Sequence, residues 1–101
     1  MTVSDTVNLA TDFSGAQQII RALDSELRIK IVYLLNESPK CVHELVGTLG
    51  SSQPLISQHL KVLRTAGLVD NVRHGREMYY SLTNIDAMSI LDAALKISAP
   101  S

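Results

Sequence analysis

The chain has 101 residues, of which 46% are hydrophobic and 4% aromatic, so it can form one small domain around an aliphatic core. Its single cysteine, Cys41, excludes an intrachain disulfide and fits a reducing cytoplasm. The longest aliphatic or aromatic run, residues 31–35, is far too short to cross a membrane, and no signal-peptide pattern precedes Arg21. We therefore expect a cytoplasmic protein without a membrane partner.

Positive charge is concentrated in one stretch, although the formal net charge is −1. Between residues 61 and 76 four basic residues accompany one acid, Asp70. The four basic residues are Lys61, Arg64, Arg73 and Arg76. A phosphate backbone responds to such local charge rather than to the total, so nucleic acid is not excluded as a partner.

The N-terminal part begins with polar residues that show no period. Residues 1–12 are predicted to form a flexible arm, and residues 13–98 one domain. An apolar stripe spaced i, i+3, i+4, i+7 then predicts a first helix. Its members are Ala16, Ile19, Ile20 and Leu23. Asp24 is predicted to cap a second helix, which breaks before Pro39 because proline disfavours helical geometry at the preceding residue.

The middle of the chain has the pattern of a helix-turn-helix pair. Apolar stripes predict helices over residues 42–49 and 53–66, joined by a turn of about three residues. Gly50 suits the end of the first helix, and Ser51 or Ser52 suits the cap of the second. The residues of the second helix that are predicted to face the core are Ile56, Leu60 and Leu63.

After this pair the hydrophobic period changes from that of a helix to that of a strand. Residues 77–82 alternate, residues 68–73 form the expected partner strand, and Gly75 supplies a tight turn over residues 74–76. A last helix begins near Asn84. The predicted fold is therefore mainly α with a small β-hairpin, a winged helix-turn-helix of about five helices and a two-stranded wing.

The last helix carries an apolar stripe wider than one domain face needs. We expect it to form a homodimer contact together with the first helix, since a domain of this size gains stability by pairing. The residues assigned to this interface are Ile19, Leu23, Met88, Leu91 and Leu95.

The outward face of the second helix of the pair suits contact with double-stranded DNA. Glutamine, serine, lysine and arginine can bond base edges or phosphates, free amides at the helix start can hold a phosphate, and a basic wing tip suits the minor groove or the backbone. The candidate DNA-binding residues are Ser52, Gln53, Ser57, Gln58, Lys61, Arg64, Arg73, His74 and Arg76. A solvated polar face or a protein-interaction module would give a similar pattern. An enzyme is not expected, because no motif joins a nucleophile to a base.

Three segments resemble the ArsR/SmtB family of bacterial repressors over about residues 16–95. ALDSELRIKIVYLL resembles the opening of that family, SSQPLISQHLKVLRTAGLV its recognition helix, and RHGREMYYSL its wing. The resemblance implies a dimer that occupies an operator, blocks transcription and is released by an inducer, which is often a metal ion. It also implies that His59 is a structural or hydrogen-bonding residue of the recognition helix.

The segment CVHEL lies where many metal sensors of this family carry two cysteines. On that match Cys41 and His43 replace them, and thiolate with imidazole suits Zn²⁺ or a similar divalent ion as inducer. Residues two apart on a regular helix point about 200° apart, so sharing an ion requires a distorted helix start or a Cys41 that precedes the helix. Two ligands are too few. Asp5 and Asp12 of the arm, from the same or the partner chain, or Glu44 could complete the set, but no spacing singles one of them out.

A structural interpretation of the same segment stays equally open. Cys41 is then a small buried residue at a helix start, and His43 a surface residue of the first turn. Glu44 is then a favourable acid at the positive end of the helix dipole. In that case the repressor responds to a non-metal signal, or to none.

Overall fold

A computed structural model describes residues 7–100 of the chain. The elements in chain order are α1 (Ser14–Ala22), α2 (Glu26–Glu37), β1 (Lys40–Cys41), α3 (Val42–Leu49), α4 (Gln53–Thr65), β2 (Val69–His74), β3 (Glu77–Leu82) and α5 (Asp86–Ser98). This order confirms the predicted winged helix-turn-helix. Part of the predicted arm, including Asp5, lies outside the described residues.

The junction of α1 and α2 differs from the prediction in its cap. Ser25, not Asp24, caps α2: its backbone is extended and its hydroxyl accepts a hydrogen bond from the Arg28 amide at 3.2 Å. Asp24 instead donates its amide to the Arg21 carbonyl at 3.1 Å and so helps to end α1. Both residue types can cap a helix, but here Asp24 already belongs to the end of the preceding helix.

The helices α3 and α4 pack against each other as the helix-turn-helix pair. Gly50 follows α3 with φ 68° and ψ 19°, the left-handed geometry in which glycine has no steric penalty. Ser52 is the cap of α4, and its hydroxyl accepts from the Leu55 amide at 3.4 Å. The turn between the two helices is therefore short, and it fixes the direction in which α4 leaves the core.

The wing is larger than predicted. Strands β2 and β3 pair antiparallel from Val69 opposite Leu82 to His74 opposite Glu77. This register leaves a turn of Gly75, with φ 62°, and Arg76, and glycine in the first of two turn positions suits a tight hairpin. The two-stranded wing is corrected to a three-stranded sheet of order β1-β3-β2, since residues 40–41 pair with β3.

The aliphatic core lies between the helices and the inner face of the sheet. Its fully buried members include Ile31 and Val32 of α2, Leu45 of α3 and Val69 of β2, and α5 contacts α2 at one side. Burial of such side chains is the main stabilising contribution in a domain of this size. None of the helices over residues 7–100 is both long enough and apolar enough to span a bilayer.

The core also includes three residues that the sequence assigned to a dimer interface. Leu23, Met88 and Leu91 are 6%, 7% and 4% exposed within a single protomer. Their side chains are already covered by their own chain, so they have little area left for a partner. A helical stripe identifies apolar positions, but it does not say whether the same chain or a second one covers them.

Candidate nucleic-acid interface

Helix α4 packs against the core with one face and exposes the opposite face to solvent. Ile56, Leu60 and Leu63 have no exposed area, and the helix contacts α2, α3 and β2. Positions on the opposite face are therefore fixed in direction by apolar packing behind them. All nine candidate DNA-binding residues are exposed: Ser52, Gln53, Ser57, Gln58, Lys61, Arg64, Arg73, His74 and Arg76.

The start of α4 has two backbone amides that the helix itself does not use. Pro54 has no amide hydrogen, and the Leu55 amide donates to the Ser52 hydroxyl at 3.4 Å. This leaves the amides of Ser52 and Gln53 without an intrahelical acceptor. The helix start can therefore offer these two backbone donors to a phosphate, beside the side chain of Gln53.

The wing tip brings its basic residues together at the end of the hairpin. Arg73 and His74 end β2, and Arg76 lies in the two-residue turn. The ring of His74 packs edge-to-face on Tyr79, with centroids 5.7 Å apart and planes at 84°. Since such aromatic pairs have a preferred geometry, this contact orients the imidazole on the surface of the wing.

The positive charges of α4 and the wing are not neutralised by neighbouring carboxylates. Over residues 7–100, ion pairs join Lys30 to Glu26 and Lys40 to Glu37, each at 3.6 Å. Neither pair involves α4 or the β2–β3 hairpin. The charges of Lys61, Arg64, Arg73 and Arg76 therefore remain available to an anionic partner.

One contact behind α4 was not visible in the sequence. The Arg28 guanidinium lies 3.0 Å from Nδ1 of His59 and donates from Nε to the Ala22 carbonyl at 2.7 Å. Its second terminal nitrogen lies 3.4 Å from the carbonyls of Arg21 and Asp24. Burial, together with the nearby guanidinium charge, lowers the pKa of His59. Arg28 therefore joins the end of α1 to the inner side of α4.

Cys41 precedes α3, which is one of the two geometries that metal binding with His43 required. It pairs with Tyr79 in the sheet and is 5% exposed, whereas His43 is exposed on the first turn of α3. Burial raises the pKa of the Cys41 thiol, and a hydrogen bond to the Glu77 carboxylate raises it further. A metal ion that used this sulfur would have to displace its proton.

The other expected ligands are engaged elsewhere. Glu44 accepts the Cys41 amide at 3.1 Å, and this bond lowers the pKa of Glu44. Asp12 accepts the Ser14 amide at 3.0 Å, near the start of α1. Over the described part of the chain, no group of three or more His, Cys, Asp or Glu side chains is placed to hold a metal ion. Residues 7–100 of one protomer therefore do not bring three such ligands together.

The sequence has known relatives among bacterial regulators. Residues 25–71 match the model of the arsR family of bacterial regulatory proteins. The chain is 51% identical over 80 residues to the HTH-type transcriptional repressor SmtB of Mycobacterium tuberculosis (strain H37Rv). The aligned residues make up 78% of this chain and 59% of that protein. It is 40% identical over 67 residues to the arsenical resistance operon repressor of Escherichia coli K12, and this alignment covers 65% of this chain and 57% of that protein. The chain thus spans less than two thirds of the length of either relative.

A solved structure extends the match to the whole chain. The transcriptional repressor BigR from Xylella fastidiosa has a crystal structure that matches this fold with a TM-score of 0.80 and 30% identity, covering 100% of both chains. The sequence match therefore includes the helix-turn-helix pair, and the structural match also includes the wing and the terminal helices. From its sequence and its fold together, the chain belongs to the ArsR family of bacterial regulatory proteins.

Proposed function

We propose that the chain is a transcriptional repressor that binds operator DNA as a homodimer through α4 and the β2–β3 wing. One observation carries the proposal: the exposed polar and basic residues of α4 and the wing tip are held by buried apolar packing, and within residues 7–100 no carboxylate pairs with their charges. The relatives named above are described as repressors. Operator DNA would place the protein in the bacterial cytoplasm.

Different side chains of α4 and of the wing tip suit different parts of the DNA. Gln53, Ser57 and Gln58 have the donors and acceptors that bond base edges in the major groove. Lys61 and Arg64 extend the same face towards guanine or phosphate. Arg73, His74 and Arg76 at the wing tip suit the backbone or the adjacent minor groove.

A partner chain would cover apolar surface that one protomer leaves open. In α1 only Ala22 is buried, whereas Ile20 is 63% exposed, and a nine-residue helix is marginal without tertiary packing. On α5, Leu95 is 56% exposed. We place the dimer contact on the exposed apolar side chains of α1 and α5. Leu95 of the predicted set remains assigned to it, as does Ile19, which packs partly against the core. A two-fold dimer favours an inverted repeat with half-sites about one helical turn apart, or a multiple of it.

The test is a DNA-binding titration of the purified protein. One duplex carries its own upstream region, the other the same bases shuffled, and each is titrated at several salt concentrations. We expect a preference of about a thousandfold or more for the upstream duplex, with log affinity falling linearly as log salt rises. Weak binding to both duplexes without salt dependence would overturn the proposal and favour a winged-helix module for protein contacts.

Zinc, or a similar divalent ion, is the inducer that the Cys41–His43 pair supports, provided that ligands from outside residues 7–100 of one protomer complete the site. The titration is therefore repeated with zinc, beside a Cys41→Ser variant. Release of the wild type but not of the variant would support zinc and make Cys41 a ligand. If both proteins stay bound, the pair is structural, and the repressor responds to a different signal or to none.

A further inference from the structure

A groove of about 630 Å³ lies between α1 and α4. Two facing stripes line it, and both have the helical spacing i, i+3, i+4, i+7. The stripe of α1 consists of Ser14, Gln17, Gln18 and Arg21, and that of α4 consists of Gln58, Lys61, Val62 and Thr65. Ala22 and Ala66 also line it. Seven of the ten lining residues therefore have side chains that can donate hydrogen bonds or carry positive charge.

The charge of this groove has one sign. Arg21 and Lys61 line it from opposite sides, and its lining includes no carboxylate. Neither residue takes part in the ion pairs of residues 7–100. Three glutamine side chains add amide donors. A positive groove of hydrogen-bond donors has the chemistry that phosphate oxygens require.

The dimer contact proposed for α1 is centred on a different side of the helix from the groove. With about 100° between successive residues, the stripe of Ser14, Gln17 and Arg21 is centred roughly 80° around the helix from Phe13 and Ile20. Phe13 and Ile20 are 47% and 63% exposed, and they form the apolar face that the proposed dimer covers. A partner chain and the groove therefore use adjacent faces of α1, which meet near Gln17.

We propose that the α1–α4 groove holds the phosphodiester backbone that flanks the bases read by α4, with Arg21 and Lys61 as its cationic walls. The inference rests on the proposed DNA-binding function and extends its contact surface to α1. Continuity supports it, since Gln58 and Lys61 belong both to the groove and to the base-reading face. Because phosphate contacts carry no sequence information directly, the groove contributes affinity and salt dependence rather than base preference.

The test compares four proteins on the upstream and shuffled duplexes over a range of salt concentrations. They are the wild type, Arg21→Ala, Arg21→Lys and the control Lys30→Ala, which removes an exposed cation of α2 outside the groove. Arg21→Ala should weaken binding to both duplexes by similar factors and make the slope of log affinity against log salt shallower by about 1 for each lost phosphate contact. Arg21→Lys should restore most of the slope, and Lys30→Ala should match the wild type.

The inference fails if Arg21→Ala keeps the wild-type slope, or if Lys30→Ala loses as much. Should Arg21→Ala lose its helical circular dichroism, Gln17→Glu takes its place, because it introduces a negative charge on the same wall. A wild-type slope for that variant would equally overturn the inference. An Arg64→Ala variant separates the two proposals: undiminished DNA binding by it would count against the base-reading face of α4 itself, whatever the groove variants show.

Discussion

Helices α4 and α5 have the same length of 13 residues and each buries three side chains, yet their outward faces differ. The exposed residues of α4 include glutamine, serine, lysine and arginine, whereas those of α5 include Ile90, Leu95 and Ile97. Both helices are anchored by the same aliphatic core, so their packing alone does not distinguish them. The chemistry of the uncovered face indicates the partner: an anionic, hydrogen-bonding one for α4 and an apolar one for α5.

The largest expected effect separates two positions of α5 that lie one turn apart on the same face. Leu91 is 4% exposed and Leu95 is 56% exposed. Leu91→Ala should lower the free energy of unfolding by about 2–5 kcal/mol, because it leaves a cavity in the core. Leu95→Ala should leave the fold intact and shift the dimer towards monomer. Chemical denaturation at fixed protein concentration and sedimentation velocity measure the two effects, and an unchanged dimer in Leu95→Ala would move the interface elsewhere.

A smaller effect concerns the inner side of α4. Arg28→Met should lower the free energy of unfolding by about 1–3 kcal/mol, because the carbonyl of Ala22 and the ring of His59 lose their donor in a half-buried place. It should also weaken DNA binding, since α4 loses a tie to the end of α1. Lys30→Ala, which removes an exposed cation of α2, is the control and should change stability by less than about 0.5 kcal/mol. Equal stability of the two variants would show that the Arg28 contacts contribute nothing.

The smallest effect is a dependence on pH. Burial lowers the pKa of His59 below its ordinary value of 6.5, so the unfolded chain takes up this proton more readily than the folded one. Its contribution to stability is therefore complete above about pH 6.5 and is lost as the pH falls from there towards the lowered value. Unfolding free energies between pH 7.5 and 5.5 should fall less steeply for His59→Gln than for the wild type. Identical slopes would argue against a buried, neutral His59.

The sequence predicted those features that a local pattern specifies. The spacing of Ile56, Leu60 and Leu63 identified the inner face of α4, and Gly75 identified the wing turn, because helical periodicity and a tight turn each depend on a few neighbouring residues. The outward positions of α4 followed from the same periodicity. The exposure of the candidate DNA-binding residues could therefore be expected before any coordinates.

Features that depend on distant parts of the chain could not be predicted in this way. Strand β1 has two residues, which are too few to show a hydrophobic period. It forms because its backbone pairs with the free edge of β3. The bond between Arg28 and His59 joins residues 31 positions apart. The burial of Met88 and Leu91 by their own chain, and the engagement of the Cys41 thiol with Glu77, likewise depend on tertiary packing that no local spacing encodes.

The central claim, that α4 is the DNA-binding helix, is tested most directly by two double variants of equal charge. Lys61→Ala with Arg64→Ala removes two cations from the outward face of α4, and Lys30→Ala with Lys96→Ala removes two from α2 and α5. The affinity of each for the upstream duplex is measured by fluorescence anisotropy at one salt concentration. With about 1–3 kcal/mol lost for each base contact, the first should bind about thirtyfold or more weakly, while the second stays near the wild type. Wild-type affinity in the first, or an equal loss in both, would contradict the assignment.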